Sequence, residues 1–236
     1  MDYNWDWEVF LRDTGGGETY LQWMLSAWGW TLSVAAAGWV VALVLGVIVG
    51  TLRTMPSRLA VGVGNVWVEL FRNIPLLVQI FLWYHVVPAL IPALKQTPAF
   101  LLVVCALGFF TSARIAEQVR AGIQSLPSGQ RMAGLATGLS LAQTYRYVIL
   151  PMAFRIIVPP LTSESMNIIK NSSVAFAVSI SELTLFALQA QEETARGIEV
   201  YLAVTSLYML SAFAVNRVMA LIERRVQVPG FIGAAR

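Results

Sequence analysis

Gln130-Arg131-Met132-Ala133-Gly134-Leu135-Ala136-Thr137-Gly138-Leu139-Ser140-Leu141-Ala142-Gln143-Thr144-Tyr145-Arg146-Tyr147-Val148-Ile149-Leu150-Pro151 is a polar interruption between strongly apolar stretches of the chain. Its pattern predicts two short helical pieces, hinged at Gly138 and ended by Pro151, with Arg131 on the first and Arg146 on the second. Glycine reaches the positive φ that a sharp hinge needs, and proline removes a donor from the helix ladder. Two guanidiniums keep the segment out of hydrocarbon. Yet Leu135, Leu139, Leu141, Tyr145 and Tyr147 give it apolar surface to bury, and a cytoplasmic partner protein is the candidate to cover it.

The flanks decide the class. Hydrophobic residues make up 57% of the chain and charged residues 12%, against about 25% charged in a soluble domain. Apolar runs fall at about residues 22–51, 60–92, 98–120, 148–180 and 198–222, each long enough for the ~20 residues that cross hydrocarbon. The expectation is an all-α integral membrane protein with about five transmembrane helices. Arg53 and Arg58 follow the first run, Arg120, Arg131 and Arg146 lie between the third and fourth, and Arg217, Arg224 and Arg225 close the fifth. The positive-inside rule makes these ends cytoplasmic, so the N-terminus is expected outside and the C-terminus inside. The first residues, with Asp2, Asp6, Glu8 and Asp13, lack the positive region of a cleavable signal, so the first span is expected to stay as an anchor. Trp5, Trp7, Trp23, Trp28 and Trp30 suit the headgroup layer. Gly46-x-x-x-Gly50, one turn beyond Ala42, offers a small face either for packing within the subunit or for dimerisation.

Few chemistries remain open to such a chain. Cys105 and His85 are single, so neither a disulfide within the chain nor a cysteine or histidine metal cluster is available; Cys105 reads as a small hydrophobe and His85 as an interfacial residue. No Gly-x-x-x-x-Gly-Lys loop and no His-Glu-x-x-His pair occurs. A net charge of +3, with the basic residues in loops beside apolar spans, excludes nucleic acid as a partner. Pro75, behind Arg72 and Asn73, predicts irregular backbone, which membrane depth tolerates only against protein or a wet cavity. Arg72 reads either as structural, paired with Glu69 at i,i+3, or as cavity-lining. Arg114, Glu117 and Arg120 predict an ion-paired stripe on the third helix. Glu164, Asn167 and Asn171 share one helical face of the fourth run, which also carries Lys170, Ser172 and Ser173. Ionisable groups are costly there, so this stripe is read as a solute pathway in preference to simple interhelical hydrogen bonding.

The opening segment resembles the EAA loop of permease subunits in bacterial ABC importers, whose pattern runs Gln-x-Glu-Ala-Ala, then a glycine, then Ile-x-Leu-Pro. Gln130, Ala133, Gly138, Leu150 and Pro151 fit, while Met132 stands at the pattern's Glu and Gly134 at its second Ala. Val68-Glu69-Leu70-Phe71-Arg72-Asn73-Ile74-Pro75-Leu76-Leu77-Val78-Gln79 is similar to the signature of polar amino-acid permeases, as are Pro159-Pro160-Leu161-Thr162-Ser163-Glu164, Lys170-Asn171-Ser172-Ser173 and Glu182-Leu183-Thr184. The likeness covers roughly residues 20 to 225, and Ala116–Ile123 with the Gln-Arg-Met-Ala-Gly variant look most like glutamate/aspartate importers.

The resemblance implies a type I ABC importer permease fold over 21–225, with a coupling loop at about 125–151, an acidic outer segment 1–20 and a cytoplasmic tail 226–236. It implies ATP-driven import of a polar, acidic amino acid by alternating access, in the bacterial inner membrane. Implied partners are two ATP-binding subunits, a second permease subunit that is a paralogue or a copy, and an outer substrate-binding protein. ATP and Mg would sit on the partner ATPase, with no cofactor in this chain. Gln130, Arg131, Ala133, Gly134, Gly138, Tyr145 and Arg146 are the candidate coupling residues; Arg72, Glu164, Asn167, Lys170, Asn171 and Ser172 are the candidate pathway. Asn171 stands where the family often has Asp, and a neutral amide beside Lys170 suits an anionic solute. The alternatives are a permease for another polar amino acid, or a stand-alone transporter or channel using Glu69, Glu117 or Glu164. The latter leaves Gln130–Pro151 without a purpose, and no internal repeat is evident.

Overall fold

The computed structural model describes residues 3–226; the tail expected at 226–236 lies outside them, Val226 apart. The described chain is built from ten α-helices: α1 (Tyr20–Leu52), α2 (Arg58–Asn73), α3 (Leu76–Phe81), α4 (Val87–Leu90), α5 (Ala99–Gln124), α6 (Ser128–Ala136), α7 (Leu141–Thr144), α8 (Leu150–Ser172), α9 (Leu183–Thr194) and α10 (Gly197–Val226). α1, α5 and α10 are each long and apolar enough to cross a membrane, and two broken stretches, 58–90 and 141–194, bring the number to as many as five. α1 has 33 residues. At 1.5 Å per residue it extends about 50 Å, beyond the ~30 Å of hydrocarbon.

The apolar run at 60–92 is not one helix. α2 ends at Asn73; Ile74 (φ −93°, ψ 128°) and Pro75 (φ −56°, ψ 139°) are extended, and α3 begins at Leu76. Proline has no N–H to continue the ladder and disfavours helical geometry in the residue before it. The irregularity expected at Pro75 is therefore a complete break. Two other prolines are handled differently. Leu82–Val86 and Tyr145–Ile149 are π-helical turns, and they stand just ahead of Pro88 and Pro151. The wider turn gives room to the carbonyl that the proline ring would otherwise strike. Pro151 thus corrects an expectation, because it does not end the opening segment. The chain runs helically from α7 through the wide turn into α8.

The chain divides into two compact units. One contains the chain up to Trp39 with Pro75–Gly108 and Asn167–Ala214. Its core joins Val9, Phe10, Tyr20 and Met24 to Phe186, Ala187 and Val200. The acidic segment expected outside is not a loose tail, because Tyr3 Oη donates to Glu199 Oε2 at 2.5 Å and Asp6 N–H donates to Glu199 Oε1 at 2.8 Å. Arg196 Nη1 adds a bond to the Asn4 carbonyl at 2.8 Å.

The other unit contains Val40–Ile74, Phe109–Met166 and the chain from Val215. Val49, Val68, Ala113 and Ala116 form a core edged by Trp67 and Phe71. Here the small face of α1 finds its use. A Cβ on Gly46 would sit 2.5 Å from Ile115 Cγ2, and one on Gly50 would sit 2.5 Å from Val119 Cβ. Both glycines let α5 approach α1 in the same chain, which selects packing within the subunit from the two uses left open.

Candidate functional site

The segment 128–149 folds as a helical hairpin. α6 closes in a Schellman motif: Leu139 N–H donates to Gly134 O at 3.3 Å and Gly138 N–H to Leu135 O at 3.0 Å, with Gly138 at φ +86°. α7 starts at once from a capping box between Ser140 and Gln143. Gly134 is where the two pieces touch, since a Cβ there would lie 2.7 Å from Thr144 Cγ2. Tyr145 is buried, and its hydroxyl donates to the Thr54 carbonyl at 2.8 Å. It anchors the hairpin to the α1–α2 turn and does not face a partner. Leu139 and Leu141 are half-buried, whereas Met132, Leu135 and Tyr147 are exposed. Beside them Arg131, Ala133 and Arg146 are exposed, Gln130 is half-buried, and the Arg146 guanidinium lies 5.5 Å from the Tyr147 ring centroid. This outward surface is apolar and basic. Between Ser128 and Tyr147 the sequence has no acidic residue.

The expected charge stripe on α5 is divided between two acids. Glu117 takes Arg120 at 2.9 Å, Arg53 at 3.0 Å and Arg72 at 3.7 Å. Arg114 instead grips the buried Glu164 of α8 with Nε at 2.8 Å and Nη2 at 2.9 Å, and Gln118 Nε2 adds a contact at 3.4 Å. One sequence expectation changes: Arg72 pairs with Glu117, not with its neighbour Glu69. Glu164, expected on the pathway, is ion-paired by a fork from another helix. An unpaired carboxylate buried there would cost several kcal/mol.

The rest of the α8 stripe separates in the same way. Asn167 and Asn171 are half-buried, and Ser172 is buried with its hydroxyl on the Ile169 carbonyl at 2.7 Å. Lys170 is exposed and lines a cavity of about 300 Å³ with Ser173, Thr184, Tyr201, Thr205 and Tyr208. Glu182 stands behind this wall but does not open onto it. It is fully buried, accepting from the Thr184 and Leu185 N–H groups at 2.9 and 3.0 Å and from Tyr208 Oη at 2.8 Å. The cavity therefore offers one ammonium and several hydroxyls, and no carboxylate lines it. Tyr201, Thr205 and Tyr208 were missed from sequence, although they lie at i, i+4 and i+7 on one face of the fifth span. Among the described residues no group of histidine, cysteine and acidic side chains could hold a metal.

Residues 42–228 match the family described as the inner membrane component of binding-protein-dependent transport systems. The chain belongs to this family. It is a multi-pass inner-membrane component of a transporter, a transport subunit and not an enzyme, and this sets aside the stand-alone alternative. It is 43% identical, over an alignment 244 positions long covering 99% of each chain, to the glutamate/aspartate import permease protein GltJ of Escherichia coli strain K12. It is 32% identical, over 84% of its length and 90% of the relative's, to the glutamine transport system permease protein GlnP of the same strain. A crystal structure of an amino acid ABC transporter with histidines superposes with a TM-score of 0.74 at 30% identity, covering 87% of this chain and 95% of that one. The inward-facing MetNI methionine ABC transporter, at 19% identity, shares the fold with a TM-score of 0.67.

Proposed function

We propose that this chain is the permease subunit of an ATP-driven importer of acidic amino acids, glutamate and aspartate. The observation that carries the reading is the cavity around Lys170, whose lining offers an ammonium and hydroxyls without a carboxylate. An anionic solute is attracted there and a cationic one repelled. The 43% identity to a glutamate/aspartate permease supports the same substrate class. The partners would be two ATP-binding subunits that carry ATP and Mg, a second permease subunit, and a substrate-binding protein outside. The cytoplasmic hairpin at Gly138 would dock on the ATPase through Met132, Leu135, Tyr147 and the two arginines. Closure of the ATPases would then draw the hairpins together and turn the cavity outward. Affinity differences between the two states carry the transport.

Uptake of labelled glutamate into proteoliposomes, driven by saturating loaded binding protein, tests the reading. Opposite unit charges ~4 Å apart interact by about 4 kcal/mol at an effective dielectric near 20, before screening in an open cavity. Lys170→Gln is expected to lower maximal uptake about tenfold, a fraction of that energy, while Lys170→Arg keeps most of it. Unchanged uptake in Lys170→Gln would remove the cavity from the pathway. The 32% identity to a glutamine permease supports a second reading, import of a neutral polar amino acid. Direct uptake separates the two: labelled glutamate and aspartate are carried under the first, and labelled glutamine but not glutamate under the second.

A further inference from the structure

We propose that a second cavity, enclosed by the end of α5, the start of α6 and the α1–α2 turn, holds the phosphate of an anionic membrane phospholipid. It has a volume of about 310 Å³, and its polar lining is Arg53, Arg131, Gln124, Ser128 and Thr54. No acidic residue lines it. The charge around it is unbalanced. Of its two lining cations, Arg53 shares the single acid Glu117 with Arg72 and Arg120, which do not line the cavity, and Arg131 has no ion pair among the described residues. Arg53 is held in place by a bond from Nε to Asn65 Oδ1 at 2.8 Å, and its side chain is only 10% exposed. The first turn of α6 adds donors, since its N-cap is Pro127 and no side chain caps it.

The apolar part of the lining decides what kind of anion fits. It includes Met55, Ile123, Leu126 and Ile149. A free phosphate ion has nothing to place against these side chains, whereas a phospholipid brings its glycerol and the first methylenes of its chains along with the phosphate. Basic pockets between helices on the cytoplasmic side are recurrent headgroup sites. The inference rests on the cytoplasmic placement of this end of the chain. It also gives Arg131 and Tyr145 a shared setting, because the lipid would touch α6 and the wide turn that follows α7. Lipid composition would then bear directly on the hairpin.

The assembled transporter in nanodiscs of phosphatidylcholine containing a minor fraction of phosphatidylglycerol allows the test, with retained lipid read by native mass spectrometry. Wild type is expected to retain phosphatidylglycerol, and Arg131→Gln to retain it about fivefold less tightly, the change expected for one basic residue near an anionic surface. Arg58→Gln removes an exposed arginine outside the cavity and controls for diffuse attraction. Equal retention by wild type and Arg131→Gln, or equal losses in the two variants, overturns the site. Displacement of the lipid by millimolar inorganic phosphate overturns the lipid assignment in favour of a soluble anion. Arg131 is exposed and makes no side-chain bond among the described residues, so the variant is expected to fold; because Arg131 also belongs to the surface proposed to dock on the ATPase, retention is compared only between complexes whose mass shows the full set of subunits. A wrong orientation would be detected separately, by external labelling of a cysteine at Gly129, and is thereby distinguishable from failure of the site.

Discussion

Glu164 is a full carboxylate near the middle of a membrane helix, and its two oxygens are taken by Nε and Nη2 of Arg114. Removing one partner of a fully buried pair costs about 3–5 kcal/mol. The Arg114 side chain is 45% exposed and can find other partners, so about 2 kcal/mol is the expected loss here. Glu164→Gln should therefore lower the thermal midpoint of the purified protein while uptake per folded molecule stays near wild type. A large uptake defect without loss of stability would return Glu164 to the solute pathway. The sequence identified Glu164 as an intramembrane acid needing compensation, because charge type and depth are legible in a single helix. Its partner was not legible, since Arg114 lies 50 positions away on another helix. Lys170 and Asn171 show the same limit. Adjacent residues on a helix point about 100° apart, and packing, which the sequence does not show, put Lys170 and not Asn171 in the cavity lining.

At the scale of elements, Gly138 carries the clearest local argument. Its φ is +86° and a Cβ there would meet nothing within 4 Å, so any penalty for substitution comes from the backbone and none from crowding. Gly138→Val places a β-branched residue in a left-handed conformation, a strain of about 1–3 kcal/mol that the hairpin can relieve only by changing shape. The variant should insert normally while stimulation of the partner ATPase by loaded binding protein falls severalfold. Gly138→Asn should keep most of the stimulation, because Asn visits this region readily. Equal coupling in Gly138→Val and wild type would show that the hairpin angle is not transmitted. This hinge was readable in advance because a glycine between two short helical pieces reaches the positive φ that a sharp turn needs; the capping box of Ser140 and Gln143 emerged only in the structure. The prolines were harder. Pro75 breaks its helix, whereas Pro88 and Pro151 follow π turns that let the helix continue. The residue type is identical in all three places, so the outcome depends on whether the preceding turn can widen, and hydrophobic periodicity carries no signal for that.

For the whole molecule, orientation decides whether the hairpin meets the ATPase at all. The bias rests on arginines, since acidic residues contribute little to topology. In the N-terminal segment Asp6 is in any case engaged by Arg12 and Arg196. With five crossings, Arg53, Arg58, Arg120, Arg131, Arg146, Arg217, Arg224 and Arg225 fall at one side, against Arg12, Lys95 and Arg196 in the connections of the other. The expected arrangement puts the N-terminus outside and the α6–α7 hairpin inside. Single cysteines in a Cys105→Ala background test it with a membrane-impermeant maleimide. Thr14 is an imperfect outer probe, being half-buried with its hydroxyl on the Glu18 carbonyl at 3.0 Å, and Gly233 lies outside the described residues. Gly16 is exposed in the outer segment, and Gly129 is exposed at the start of α6, where a Cβ meets nothing within 4 Å. Gly16→Cys should react in intact cells and Gly129→Cys only after permeabilisation. Each site reports on a different side, so poor reactivity at one cannot imitate the opposite topology. If Gly129→Cys reacts in intact cells and Gly16→Cys does not, the hairpin faces away from ATP, and both the coupling role of Gly138 and the cytoplasmic lipid site fall with it.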